Sequence, residues 1–124
     1  MLAADTSSLI AYLAGETGKD VERIDLAIDA AELCVPPVVL TELLSDPKNS
    51  HALESKIALI PLLEITLGYW ERAGKTRGAL LARSLSAKIP DTLIAQSCID
   101  HDVALITRDT DFRHFAKHCG LKLA

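Results

Sequence analysis

The chain is poor in aromatic residues, with two Phe, two Tyr and one Trp among 124 residues. That is too few for a platform on which successive bases stack, so any grip on single-stranded nucleic acid must use another device. A basic excess is missing too. Thirteen Lys and Arg against seventeen Asp and Glu leave a net charge of −4, which excludes attraction to a polyanion by bulk charge. Cysteine is scarce: Cys34, Cys98 and Cys119 are odd in number and widely spaced, which argues against a disulfide framework and for a reducing compartment. No apolar run approaches the ~18 residues of a membrane span. The first residues also lack the basic flank and long apolar stretch of a secretory leader, so a cytoplasmic protein without membrane contact is expected.

What is present is an apolar content of 49%, enough for a core, in a length that fits one domain over residues 1–124. Short apolar runs alternate with amphipathic stretches. Strands are expected at 1–4, 33–35, 60–65, 103–106 and 121–123. Helices are expected after Asp5-Thr6-Ser7-Ser8, over 21–31, 38–44, 50–58, 67–86, from Ile89-Pro90-Asp91-Thr92, and over 110–118. The alternation predicts an α/β domain with a mostly parallel sheet.

Four acidic residues fall at informative places. Asp5 and Asp109 each follow a short apolar strand, and in an open parallel sheet ligand sites lie beyond the carboxyl ends of the strands. A helix cap explains Asp5 equally well, and a turn explains Asp109. Glu42 lies among Val38, Val39, Leu40, Leu43 and Leu44, which predicts a helix buried nearly all round and a carboxylate in need of a partner or a metal. Asp91 suits the first turn of its helix, yet shares a face with Ile94, Ala95 and Cys98 and is expected to point inward.

The ordered set Asp5-Thr6-Ser7, Thr41-Glu42-Leu43, Pro90-Asp91-Thr92-Leu93-Ile94-Ala95 and Thr107-Arg108-Asp109-Thr110-Asp111-Phe112 resembles the PIN-domain nucleases. Among them it is most similar to the VapC-type toxins of VapBC toxin–antitoxin modules. The resemblance implies a three-layer α/β/α, Rossmann-like PIN domain with a short sheet of strand order 3-2-1-4-5. It implies that Asp5, Glu42, Asp91 and Asp109 hold one or two Mg2+ or Mn2+ ions, with Asp111 as a supporting ligand and Ser7 and Thr107 orienting the carboxylates. It further implies an endoribonuclease acting on RNA, a VapB-type antitoxin as inhibitor, and a homodimer. A PIN nuclease in RNA processing without an antitoxin, or a PIN fold kept as a binding module, are the alternatives.

Five basic residues and no acidic one lie from Arg72 to Lys88, namely Arg72, Lys75, Arg77, Arg83 and Lys88. With Arg108 they are candidates for the RNA backbone, although a solvated helix face accounts for them as well. Two rivals are weaker. Cys98, His101, His114 and His118 mimic zinc-finger spacing but enclose a buried strand. A phospho-acceptor receiver domain would need an acidic pair after the first strand, where Asp5 stands alone.

Overall fold

In the computed structural model, which describes residues 1–48 and 51–124, the chain opens with strand β1, Leu2–Ala4. Asp5 then caps helix α1, Thr6–Leu13, accepting from the Ser8 N–H at 3.0 Å. Helix α2, Lys19–Asp29, buries Ile24 and Ala27 and turns its charged face outward, as its period predicts. Strand β2, Leu33–Cys34, leads into helix α3, Pro37–Leu44, where Pro37 occupies a first-turn position that needs no N–H donor. Helix α4, His51–Ile57, corresponds to the expected helix over 50–58, whose first residue, Ser50, lies outside the described residues. Helices α5, Tyr69–Leu81, and α6, Ile89–His101, follow. Strand β3, Ala104–Ile106, then passes through a 3-10 turn, Thr110–Phe112, into helix α7, Arg113–His118.

The strands pair in parallel in the order β2-β1-β3, with Ala4 opposite Ile106. The order reverses direction at β1, so a switch point opens beyond the carboxyl ends of β1 and β3. Helices cover the sheet, α2 packing on β2 and β3 and α6 packing on β3, in the α/β arrangement expected. Leu9, Ile24, Val35, Leu105, Ile106, Phe112 and Phe115 form the center of the core.

Several expectations are corrected. Only three strands form among the described residues. The outer two expected strands shrink to single bridges, Val35 with Leu62 and Leu105 with Leu123, at the places that the order 3-2-1-4-5 assigns them. At the first of these edges Pro61 has no N–H to donate and accepts from Val35 instead, which limits the pairing. The long helix over 67–86 is shortened: left-handed Gly68, at φ 84°, precedes it, and Ser84, at φ 59°, turns the chain after it. The helix over 110–118 begins as a 3-10 turn because the Asp109 carboxylate accepts the Asp111 N–H at 2.9 Å. Helix α3 is not buried all round. It buries only Val39 and Leu43, and Leu44 faces solvent, because α3 lies on α1 and α6 with a single stripe.

Candidate active site

Asp5 stands at the end of β1, and its backbone N–H donates to the Ile106 carbonyl at 3.1 Å, carrying the β1–β3 pairing one residue further. Thr107 therefore lies opposite Asp5. Asp109 does not follow the strand directly, as the apolar run suggests, but comes three residues after Ile106. The Thr107 hydroxyl donates to Asp5 Oδ2 at 2.6 Å, and the Ser7 hydroxyl donates to the same oxygen at 2.9 Å. Asp5 is buried, and burial pushes its carboxyl upward while the Thr107, Ser8 and Ser7 donors pull it down. Asp5 is thus at once a helix cap and the tie between two strand ends.

Asp91 enters from the first turn of α6, set there by Pro90, which is tolerated at a helix start. Asp109 and Asp111 meet it from the turn after β3, and one carboxylate oxygen from each of the three lies within 4.8 Å of the others. Asp91 is half-buried, and its carboxyl is pushed up to about 6, first by desolvation and then by the charges of Asp109, Asp111 and Glu42, with Lys88 opposing. Three hard oxygens this close repel one another, and together they could hold a metal ion. Glu42 faces this cluster from α3, and its Oε1 accepts from the Thr6 hydroxyl at 2.7 Å. Asp5 and Glu42 are not members of the three-carboxylate group. Asp111, expected as a supporting ligand, is one.

Sequence reasoning passed over Thr6 and Ser8. Both belong to the hydroxyl run read as a helix start, and nothing but that run signals them.

The basic candidates divide. The Arg72 guanidinium is paired with Asp100 at 2.7 Å and also bonds the Leu67 carbonyl and Thr66. Arg108 is paired with Asp20 at 2.8 Å, holding that carboxyl down at about 2, and reaches Glu16 at 3.7 Å. Arg77 donates to the Ala87 carbonyl at 2.7 Å. Lys75, Arg83 and Lys88 are exposed. The zinc spacing finds no support: Cys98 is buried in the core, and among the described residues the acidic trio is the one group of three or more His, Cys, Asp or Glu side chains with ligand atoms so close.

The PIN domain family model matches residues 3–118. No curated protein matches the chain significantly in sequence. Among solved structures, VapBC2 of Rickettsia felis, bound to a DNA fragment from its promoter, is similar with a TM-score of 0.77 at 19% identity, over 99% of this chain and 96% of that one. FitAcB of Neisseria gonorrhoeae gives 0.74 at 14% identity, over 99% and 96%. A toxin–antitoxin complex of Klebsiella pneumoniae gives 0.67 at 21% identity, over 98% and 95%. With the family pattern running from Ala3 in the first strand to His118 at the end of the last helix, the chain belongs to the PIN-domain family.

Proposed function

We propose that this PIN domain is a divalent-metal-dependent endoribonuclease and the VapC-type toxin of a toxin–antitoxin pair. The observation that carries the proposal is the meeting of Asp91, Asp109 and Asp111 beyond the sheet's switch point. These three would hold one or two Mg2+ or Mn2+ ions, with Asp5 and Glu42 completing the acidic wall. A bound ion would lower the pKa of water for attack on phosphorus and offset charge on the phosphate.

The chain's own side chains do the positioning. Thr6 fixes one oxygen of Glu42, and Ser7, Ser8 and Thr107 fix both oxygens of Asp5. Without a cation, the acidic cluster repels RNA, so catalytic binding depends on the metal.

The RNA backbone would run along exposed Lys75, Arg83 and Lys88. Replacing the three together with Ala is expected to weaken RNA binding and to flatten its salt dependence by about 0.7 log unit per decade of salt for each phosphate no longer neutralised. Binding titrations between low and moderate salt check this, and an unchanged slope would remove the three from the RNA path.

The partner is proposed to be a VapB-type antitoxin, as the toxin–antitoxin complex among the structural neighbours suggests. An apolar cleft of about 480 Å3, lined by Tyr12, Leu13, Ile28, Leu59 and Ile60 among others, offers it a seat. Exposed Trp70, Leu81 and Ile89 provide apolar surface for a homodimer. Among the described residues no helix is long and apolar enough to cross a membrane.

The decisive experiment incubates pure protein with RNA in Mn2+ or Mg2+, and again in excess EDTA. Cleavage is expected with metal and none with EDTA. No cleavage together with no Mn2+ binding would overturn the proposal in favour of a binding module.

A further inference from the structure

We propose that Asp20 is a positioning residue of this site, fastening the segment that carries Asp5 to the segment that carries Asp109 through one carboxylate oxygen. The inference rests on the metal-site reading above.

Asp20 lies in the first turn of α2, away from the acidic cluster. A carboxylate is favoured there by the helix dipole alone. That reading accounts for its charge but not for its partners. Asp20 Oδ2 accepts from the Ser8 hydroxyl at 2.8 Å and from Arg108 Nε at 2.8 Å, while Oδ1 accepts from Arg108 Nη2 at 3.2 Å.

Each donor is one step from the acidic wall. The Ser8 N–H donates to Asp5 Oδ1, and Arg108 sits between Thr107, which donates to Asp5 Oδ2, and Asp109. The side chain of Asp20 is only 11% exposed although that of Arg108 is 35% exposed, and the ionised pair strengthens the bonds between them.

The backbone leaves room for the pair. Gly18 has φ 148°, and a Cβ there would lie 2.6 Å from Asp20 Oδ1 and 3.2 Å from Arg108 Nη2. The Arg108 Nη2 also donates to the Thr17 carbonyl at 3.3 Å, closing the loop before α2 onto the loop after β3. Asn at position 20 would give up the charge, and it would turn an NH2 group toward one of the donors. The two loops would then be held less firmly, by the longer Arg108 contacts to the Thr17 carbonyl and Glu16.

The test uses the full chain and Mn2+ alone as the probe. Asp20→Asn is expected to bind Mn2+ up to about 10-fold more weakly by calorimetry, the lower end of the range for a group bonded directly to a metal ligand, since Asp20 acts one step further out. In the metal-free protein the amide resonances of both Ser8 and Asp109 are expected to move, although these residues lie on separate segments. Cleavage should return as Mn2+ is raised, a change in metal requirement rather than in turnover at saturation. Should Asp20→Asn fail to fold, Ser8→Ala, which removes one arm only, is expected to lower the affinity several-fold. Wild-type Mn2+ affinity in a folded variant, with or without a lower melting temperature, would overturn the proposal. A wild-type protein that binds no Mn2+ would instead overturn the metal site itself, and this inference with it.

Discussion

Asp91→Asn is expected to abolish RNA cleavage and, in the same step, to stabilise the metal-free protein. The two effects share one cause. The Asp91 carboxyl is pushed up to about 6 from an ordinary value near 3.8 because burial and the charges of Asp109, Asp111 and Glu42 oppose its ionisation. A carboxyl held up in the folded state binds its proton more tightly there than in the unfolded chain. Stability is therefore lost as pH rises from about 4 to about 6, and the whole penalty is present above that. At pH 8 it is on the order of 2–3 kcal/mol. Asn removes the charge at nearly the same size and relieves it, which for a domain of this length raises the metal-free melting temperature by roughly 5–10 °C. Cleavage should fall by more than about 100-fold, beyond the range for an outer partner of a metal. The stabilisation should shrink as pH falls below 6 and be nearly gone at about pH 4, because Asp91 is then largely protonated in the folded chain and half protonated in the unfolded one. Thermal melts in EDTA at pH 4 and pH 8, beside cleavage assays in Mn2+, check both halves. Equal cleavage by the variant would remove Asp91 from the catalytic set, and an unchanged melt at pH 8 would show that the carboxylates do not repel as the geometry implies.

Excess Mn2+ should narrow the difference in stability between the two proteins, since a bound cation relieves in the wild type what Asn relieves in the variant. A site that is unstable without its ligand gains stability in proportion to binding. The same repulsion that weakens the empty fold supplies affinity for the ion.

How much of this was legible in the sequence differs from residue to residue. The β1–Asp5–α1 unit shows plainly, because an apolar run breaks at once into Asp-Thr-Ser-Ser, and cap and strand end share that signal. Asp91 is equally open to reading, with Pro90 marking the helix start and Ile94, Ala95 and Cys98 marking its inner face. The surroundings of Glu42 are less buried than its neighbours in the sequence suggest. Five apolar neighbours do not bury a helix that rests on its supports along one stripe, and Val38, Leu40 and Leu44 keep partial or full exposure. The outer strands were overestimated for a related reason: a single bridge has no period, so the apolar residues at 60–65 and 121–123 look the same whether they pair once or five times. The family resemblance gives Asp111 only a supporting role beside Asp109. The 3-10 turn folds Asp111 back over Asp109 and brings both to Asp91. Asp20 was beyond reach, since its donors lie 12 and 88 residues away and no local pattern joins them.

Phe112→Ala is expected to destabilise the protein by about 3–5 kcal/mol, the usual cost of emptying a buried aromatic site. Phe112 is 1% exposed, packs on Phe115 with ring centroids 6.1 Å apart, and ends the 3-10 turn that carries Asp111. Against a typical total of about 5–15 kcal/mol, that loss leaves a marginal fold. The effect reaches the site by a short route. The Asp111 N–H donates to Asp109 Oδ1, the Asp109 N–H donates to Thr107 Oγ1, and the Thr107 hydroxyl donates to Asp5 Oδ2. With the ring gone, the turn loses its anchor in the core, and binding a cation must then order Asp109 and Asp111 as well as hold them. Mn2+ affinity should fall even at temperatures where the variant remains folded. Phe112→Leu refills most of the volume and should lose less than half as much stability while keeping Mn2+ affinity near the wild-type value. Urea unfolding of the two variants in EDTA, with calorimetric Mn2+ titration, separates the alternatives. A loss below about 1 kcal/mol for Phe112→Ala would show that the turn stands without its core anchor. A Phe112→Ala protein that is destabilised but binds Mn2+ like the wild type would show that Asp109 and Asp111 are held in place by the hydrogen-bonded run alone.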